Sequence, residues 1–379
     1  MFDPCQNPVV LKALYTHAMG RAFLRYRNPH RRASGRHLTE FYERVWREAA
    51  EKLGAAFVPI GAGISEIRLN GVYTRVVENT SPIDDPVTLA LAGNKPLTYR
   101  LLREAGLPTP RHSEFSLKAM GPAVEFLGAG RVDCVVKPAA GTGGGRGVTT
   151  GVRSRTHLAR AAAAAAVYGD ELLVEEQMAG DNYRLLYLDG RLLDAFVRKP
   201  PTVVADGRST VARLVGQAND ARLRYGSGLS QVLLTVDLDM KRTLAKQGLM
   251  LRSTPAEGTV VTVKTVVNEN CGADNTSATH LLCPGVVEAG ASAARALRVR
   301  LAGIDLITGD PTVPLEESGG AVLEVNTPPN YYYHYHKRDG AFPVAVHVLE
   351  QLLLGHPPAC ESGAGTTPVT HHHPLEVFP

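Results

Sequence analysis

The strongest constraint on this chain is a glycine-dense loop, Lys137-Pro138-Ala139-Ala140-Gly141-Thr142-Gly143-Gly144-Gly145-Arg146-Gly147-Val148, set between a short apolar run at 132–136 and an alanine-rich stretch at 155–168. The run reads as a strand and the stretch as a helix, so strand, glycine loop and helix follow in order. Phosphate oxygens need many N–H donors close by, and a backbone without Cβ atoms can crowd round them. A lysine at the strand end supplies compensating charge. Taken alone, the loop reads equally well as a structural turn. It is not a Walker A motif, because no Gly-Lys-Ser/Thr closes it. Nor does it match the dinucleotide fingerprint, whose first glycine directly follows the strand.

Two further constellations carry chemistry. Glu324 and Asn326, in Leu323-Glu324-Val325-Asn326, are two apart on a predicted strand and so face one way. Asp305, in Gly303-Ile304-Asp305, lies within another apolar run, where a carboxylate is costly to bury unless paired or bound to a metal. Three hard oxygen donors with room for phosphates suit Mg²⁺. Each residue alone reads more readily as a solvated strand polar group, and the joint pattern favours the metal. Third comes Val174-Glu175-Glu176, then Gly180-Asp181-Asn182-Tyr183-Arg184. A strand edge running into a connector offers backbone hydrogen bonds to a purine, and a carboxylate there can hold ribose hydroxyls. Arg184, Arg198 and Lys199 can fix phosphates or a substrate carboxylate, with surface ion pairs as the competing reading.

The rest of the chain reads as mixed α+β. Helices are expected at 8–26, 41–53, 97–105, 284–297 and 343–354, and short strands at 57–60, 66–70, 73–77, 171–174, 183–188, 191–198, 259–267, 301–307 and 321–325. Asp189-Gly190 signals a tight hairpin. The tail from His356, rich in Pro, Gly, Thr and His, is expected to be disordered. With 379 residues, 44% apolar, the chain can bury two or three packed subdomains. A net charge of +4 without a long basic block gives no nucleic-acid signature. Five widely spaced cysteines without CxxC pairs read as free thiols in a reducing compartment. No run reaches about 18 apolar residues and the start lacks a leader pattern, so a soluble, cytoplasmic protein with no membrane partner is expected.

In this order the motifs resemble the ATP-grasp superfamily, and more narrowly the ATP-grasp domain of cyanophycin synthetase-like amide ligases. The resemblance runs from Ser81-Pro82-Ile83-Asp84-Asp85-Pro86 through Gly93-Asn94-Lys95-Pro96-Leu97-Thr98 and Gly106-Leu107-Pro108-Thr109-Pro110 to the glycine loop. It resumes at 174–184. Arg198-Lys199-Pro200-Pro201-Thr202-Val203-Val204-Ala205-Asp206-Gly207-Arg208-Ser209-Thr210-Val211 looks like the subgroup's own signature, and Ile304-Asp305 and Glu324-Val325-Asn326-Thr327-Pro328-Pro329 complete the pattern.

The resemblance implies an α+β ATP-grasp fold with two α+β subdomains clasping ATP. A glycine-loop subdomain would span about 112–180 and a metal-bearing one about 181–355, within a ligase domain at 81–355. Ahead of the region the resemblance covers, residues 1–80 read by their own pattern as an N-terminal α/β subdomain of two helices and a small β region. Lys95 and Lys137 would face phosphates, and Gly143, Gly144, Gly145 and Gly147 would form the lid over the triphosphate. Glu175, Glu176 and Met178 would line the adenine and ribose pocket. Asp305, Glu324 and Asn326 would hold magnesium, and Arg184 and Arg198 would stabilise charge in catalysis. The implied reaction makes an acyl phosphate from a carboxylate and ATP, then an amide with an amine such as an amino acid or peptide. The alternatives are an ATP-grasp phosphotransferase and a nucleotide-binding protein without turnover. A homodimer is an assembly that such enzymes often adopt.

The chain also departs from the family. Its last motif continues as Pro329-Asn330 and then Tyr331-Tyr332-Tyr333-His334-Tyr335-His336, where the family usually has Pro-Gly. This run marks Asn330, Tyr331, Tyr333 and His334 as candidate substrate contacts, with an aromatic packing strip as an equal reading. The family's Mur-ligase-like domain and long N-terminal region are missing, so a product other than cyanophycin is expected. Cys271, in a loop resembling the family's acceptor region, reads as a small packed residue.

Overall fold

The structure, a computed structural model, describes residues 3–26, 29–130, 132–143, 145–224, 233–269 and 274–355. Gly144, Cys271 and the tail from His356 lie outside the described residues. Two helices open the chain, α1 (Pro8–Tyr26) and α2 (Pro29–Leu53), followed by an antiparallel meander of β1 (Ala56–Gly61), β2 (Ile64–Leu69) and β3 (Val72–Val77). A second antiparallel sheet comprises β4 (His112–Phe115), β5 (Cys134–Pro138), β6 (Thr149–Val152) and β7 (Leu172–Glu176), in the order β4-β7-β5-β6. The glycine loop connects β5 to β6, and the helix Arg155–Ala165 packs on this sheet through Leu158, Ala159 and Ala162.

The rest builds on β8 (Asp181–Leu188) and β9 (Arg191–Arg198), a hairpin closed by Asp189 at φ 49° and Gly190 at φ 77°, the left-handed pair that a two-residue turn requires. The ribbon β10 (Thr202–Val204) with β11 (Val260–Thr262) carries a small core of its own. Then come β12 (Thr276–Ser277), β13 (Leu301–Thr308) and β14 (Ala321–Asn326), which complete a five-stranded antiparallel sheet in the order β12-β9-β8-β13-β14.

This sheet is covered on both faces, which explains the unbroken apolar runs of its inner strands. Tyr183, Leu185 and Tyr187 share one core with the helix Pro284–Ala296, while Leu186 and Leu188 point the opposite way into a core with α2 and the final helix Val344–Leu353. The described residues of 1–80 join the cores of the two larger sheets. Leu11 of α1 packs with the glycine-loop sheet, whereas Phe41, Trp46, Ile67 and Val76 join the core beneath the five-stranded sheet. Each amphipathic face is too small to be stable alone and is buried against a larger sheet.

Helices at Pro86–Ala92, Gly121–Ala129, Val211–Arg224 and Leu238–Lys246 add to those expected. The strand expected at 259–267 is shortened, because Asp239 accepts hydrogen bonds from the backbone N–H groups of Thr265 (3.0 Å) and Val266 (3.2 Å) and turns the chain. Among the described residues no helix is long and apolar enough to cross a membrane.

Candidate active site

Strand register assembles the site. Asp305 of β13 lies opposite Arg184 of β8 on one side and Glu324 of β14 on the other. Asn326 is two residues beyond Glu324, and Arg198 of β9 lies opposite Asn182, two residues before Arg184. The two-residue repeat of a strand therefore puts Arg198, Asn182, Arg184, Asp305, Glu324 and Asn326 on one face at one end of the sheet. The same face is apolar further along, at Leu186, Leu188 and Phe196.

Asp305 is buried and clamped by two buried guanidiniums. Arg184 Nε and Nη2 form a fork on its carboxylate, the second bond at 3.0 Å, and Arg198 Nη2 reaches Oδ2 at 2.9 Å. Burial opposes its ionisation, but the guanidiniums of Arg184 and Arg198 outweigh this and hold the carboxyl below the usual carboxylate range. One carboxylate between two guanidiniums leaves positive charge over. Arg198 also donates to Asn182 and, at 2.9 Å, to Asn268, yet its Nε is buried with no hydrogen-bond partner among the described residues. Gly303 is a glycine because Arg184 and Pro329 leave no room: a Cβ would lie 3.0 Å from Arg184 Nη1 and from Pro329 Cβ.

The lysines arrive from the other sheet. Asn94 caps the helix Lys95–Glu104 by accepting from Leu97 N at 3.0 Å, and Lys95 N donates to Ala139 O at 3.0 Å. That backbone bond stitches the helix start to the exit of the strand bearing Lys137. Lys95 Nζ lies 3.4 Å from Glu324, which bridges the two halves of the site. Lys137 Nζ pairs with Glu175 at 2.7 Å and lies 3.0 Å from the Tyr99 hydroxyl, which itself donates to Glu175 at 2.8 Å. Both oxygens of Glu175 are thus engaged in fixing the lysine. Glu176 takes Arg111, at 2.9 Å from Nε and 3.0 Å from the backbone N.

A cleft of about 300 Å³ lies between the sheets, lined by Lys95, Lys137, Gly143, Gly145, Glu175, Glu176, Met178, Arg198, Asp305 and Glu324. Gly145, at φ +71°, passes so close to the 265–268 segment that an added Cβ would lie 2.8 Å from Val266 Cγ1. Gly147 is set back, against Tyr168 and Pro138. A second cavity of about 200 Å³ adjoins the first and shares Gly143, Arg198, Asn268, Asp305 and Glu324 with it. Arg184, Asn326, Asn330 and Tyr333 also line it.

Tyr331 and His334 line neither cavity and follow the packing-strip reading of their run. Tyr331 is fully buried against Tyr42 and Trp46, and His334 is fully buried with Nδ1 2.7 Å from Asp194. Burial lowers the His334 pKa against the pull of Asp194, and the ring packs in the core instead of facing either cavity. These two side chains turn into the core because the run forms the short helix Tyr332–Tyr335 under α2, which sends successive side chains in different directions.

Sequence reasoning missed Tyr99, Asn182 and Asn268 as partners of the key cations, and Leu38, Tyr42, Glu78 and Asn79, which carry the N-terminal segment into the second cavity. No local pattern marks them.

The oxygen donors were weighed for a divalent cation. Among the described residues no group of three or more His, Cys, Asp or Glu side chains is gathered to hold a metal. Asp305 and Glu324 nonetheless oppose each other across one ladder, and the amide nitrogen of Asn326 donates to Gly303 O at 3.2 Å, which leaves its oxygen available. Both Asp305 oxygens accept from guanidiniums, so Glu324 and the Asn326 oxygen are the open donors, and Asp305 would join them on a hard cation only by giving up a guanidinium bond, with phosphate and water completing the shell.

No family model matches the chain. It is 30% identical over 287 residues to cyanophycin synthetase of Nostoc sp., covering 75% of this chain and 31% of that protein. It is 30% identical over 263 residues to the glutathione biosynthesis bifunctional protein GshAB of Mannheimia succiniciproducens, covering 68% of this chain and 34% of that protein. The chain therefore spans about a third of the length of these curated relatives. Among solved structures, the bifunctional glutathione synthetase of Pasteurella multocida superposes with a TM-score of 0.54 at 24% identity, over 82% of this chain and 43% of that one. The resemblance read from the motifs is thus met by an overall similarity in sequence and fold.

Proposed function

We propose that this chain, which has the α+β ATP-grasp fold and resembles cyanophycin synthetase, is an ATP-dependent ligase that joins a carboxylate to an amine through an acyl phosphate, releasing ADP and phosphate. The observation that carries this reading is the shared wall of the two cavities. Arg198, with one buried guanidinium N–H that has no partner among the described residues, stands where a nucleotide cleft opens into a second polar pocket. A charged donor left unsatisfied in a buried site costs free energy unless a ligand oxygen completes it.

In this reading Lys95 and Lys137 face the phosphates, and the loop covers them through Gly143 and Gly145. Glu175 and Tyr99 hold Lys137 in position. Glu176 and Met178 line the nucleoside end. Asp305, Glu324 and Asn326 hold Mg²⁺, which when bound neutralises phosphate charge. The substrate carboxylate lies in the second cavity beside Arg184 and Arg198 and attacks the γ-phosphorus. The amine then attacks the acyl carbon, Arg198 donates to the tetrahedral oxyanion, and phosphate leaves. Asn330 and Tyr333 contact substrate. The similarity to a cyanophycin synthetase and to a glutathione biosynthesis protein supports amino acids or peptides as the class of both substrates.

The test is to incubate the protein with Mg-ATP and a pool of amino acids and small peptides, following phosphate and new masses together. Amine-dependent phosphate with a product lighter by one water than its two parts is expected. A phosphorylated product would replace the reading with a phosphotransferase, and tight ATP binding without turnover would replace it with a nucleotide-binding protein.

The loop gives a second expectation. Gly145→Ala must tolerate a left-handed backbone and a contact with Val266, and is expected to raise KM for ATP by the equivalent of about 1–2 kcal/mol. Gly143→Ala, with nothing within 4 Å of an added Cβ, is expected to stay within about twofold of wild type. Equal effects in steady-state kinetics would show that the loop does not close on the nucleotide.

A further inference from the structure

One wall of the second cavity comes from the five-stranded sheet, and the other comes from α2 and the turn after β3, through Leu38, Tyr42, Glu78 and Asn79. The turn is built with care. Val77 and Thr80 exchange both backbone hydrogen bonds, at 3.1 and 2.9 Å, which leaves Glu78 and Asn79 as the two residues at the tip. Glu78 occupies the left-handed region at φ 50°, where a residue other than glycine, asparagine or aspartate is uncommon and strained.

Two clamps hold it there. The Trp46 indole donates to Glu78 O at 2.8 Å, and the Asn79 amide donates to Pro328 O and Pro329 O at 3.0 and 3.2 Å, just past the strand that carries Glu324 and Asn326. Trp46 is fully buried. The N-terminal segment thus holds one carboxylate at the substrate cavity at the cost of backbone strain. Glycine or asparagine would make the turn without it, so the turn alone does not account for a glutamate.

The charge pattern says what this carboxylate meets. Arg184 and Arg198 share the single carboxylate of Asp305, and Lys95 pairs with Glu324. Among the described residues no cation lies within ion-pair distance of Glu78, whose side chain receives one long hydrogen bond, from Thr39 at 3.4 Å. The cavity is therefore bipolar among the described residues: guanidiniums on the sheet wall, and on the N-terminal wall a carboxylate with no cation at ion-pair distance. A substrate carboxylate belongs with the first, beside the phosphates.

We infer that Glu78 selects an amine substrate bearing a second, cationic group, an ammonium or guanidinium, which it pairs while the nucleophilic nitrogen faces the sheet wall. About 200 Å³ suits one amino-acid side chain of that kind. This inference rests on the ligase reading for the meaning of the pocket, but its test does not depend on turnover.

The experiment is calorimetry on the full chain loaded with magnesium and a non-hydrolysable ATP analogue. The probes are L-lysine against its neutral counterpart L-norleucine, and L-arginine against L-citrulline. At least one cationic member is expected to bind ten-fold or more tightly than its neutral counterpart. In Glu78→Gln that difference is expected to vanish, with the neutral member's binding and the melting temperature unchanged. Equal binding of cationic and neutral members by the wild type, binding of none, or an equal loss for both members in Glu78→Gln would overturn the assignment. The wild-type comparison stands even if the variant fails to fold. The two readings separate as follows: amine-dependent phosphate release without cationic preference sinks the role of Glu78 alone, whereas cationic preference in calorimetry without phosphate release under any acceptor sinks the ligase reading.

Discussion

Alanine in place of Glu324 is expected to lower amine-dependent phosphate release about 10²- to 10³-fold, the scale of a lost electrostatic contact to a transferring group. Glu324 lies on the wall shared by both cavities, opposite Asp305 and 3.4 Å from Lys95. Its loss leaves the buried Lys95 without its counter-charge and, in the proposed reading, would remove one magnesium ligand. Glu324→Asp keeps the charge but shortens the reach, so part of its deficit should be recovered by raising magnesium, while that of the alanine variant should not. Phosphate release against magnesium concentration reads this directly. Wild-type turnover in Glu324→Ala, with an unchanged melting temperature, would remove the residue from the chemistry.

Asp305→Asn is expected to cost stability as well as activity, about 3–5 kcal/mol, because it strands two buried guanidiniums that share one carboxylate. Urea unfolding checks the magnitude. The pH dependence has a definite sign. The folded carboxyl titrates below its unfolded value of about 3.9, so the stabilisation is complete above that pH and is lost as pH falls through the lower, folded value. The difference in unfolding free energy between wild type and Asp305→Asn should therefore be flat through neutral pH and narrow only in strong acid. A difference that shrinks around pH 6–7 would mean that another group controls the cluster. Replacing Arg198 by methionine in the same chain should recover part of the loss, since one stranded charge is then gone.

The two arginines show where reading the chain stopped. Their type marked them as anion partners, and both are at the site. That they clamp Asp305 first, across 121 residues for Arg184, was invisible, because it depends on which residues stand opposite in two ladders. Glu175 was read as a nucleotide contact from its strand edge, and it does line the cleft. Its engagement with Lys137 and Tyr99 needed the helix Lys95–Glu104 to be placed beside β5. The aromatic run after Asn330 was ambiguous for a physical reason: apolar rings with polar tips serve cores and pockets alike. Tyr333 lines the cavity, and Tyr331 and His334 do not.

What the sequence determined by itself is what depends on short range. Glycine density set a loop that can crowd phosphates, two-residue spacing put Glu324 and Asn326 on one face, and Asp189-Gly190 set a hairpin, because each follows from the conformational freedom of a few adjacent residues. What only the tertiary structure decided is what depends on burial. The five-stranded sheet had to be covered on both faces. That requirement drew α2 and the meander over it, carried Glu78 to the second cavity, and left one carboxylate to be shared by two arginines.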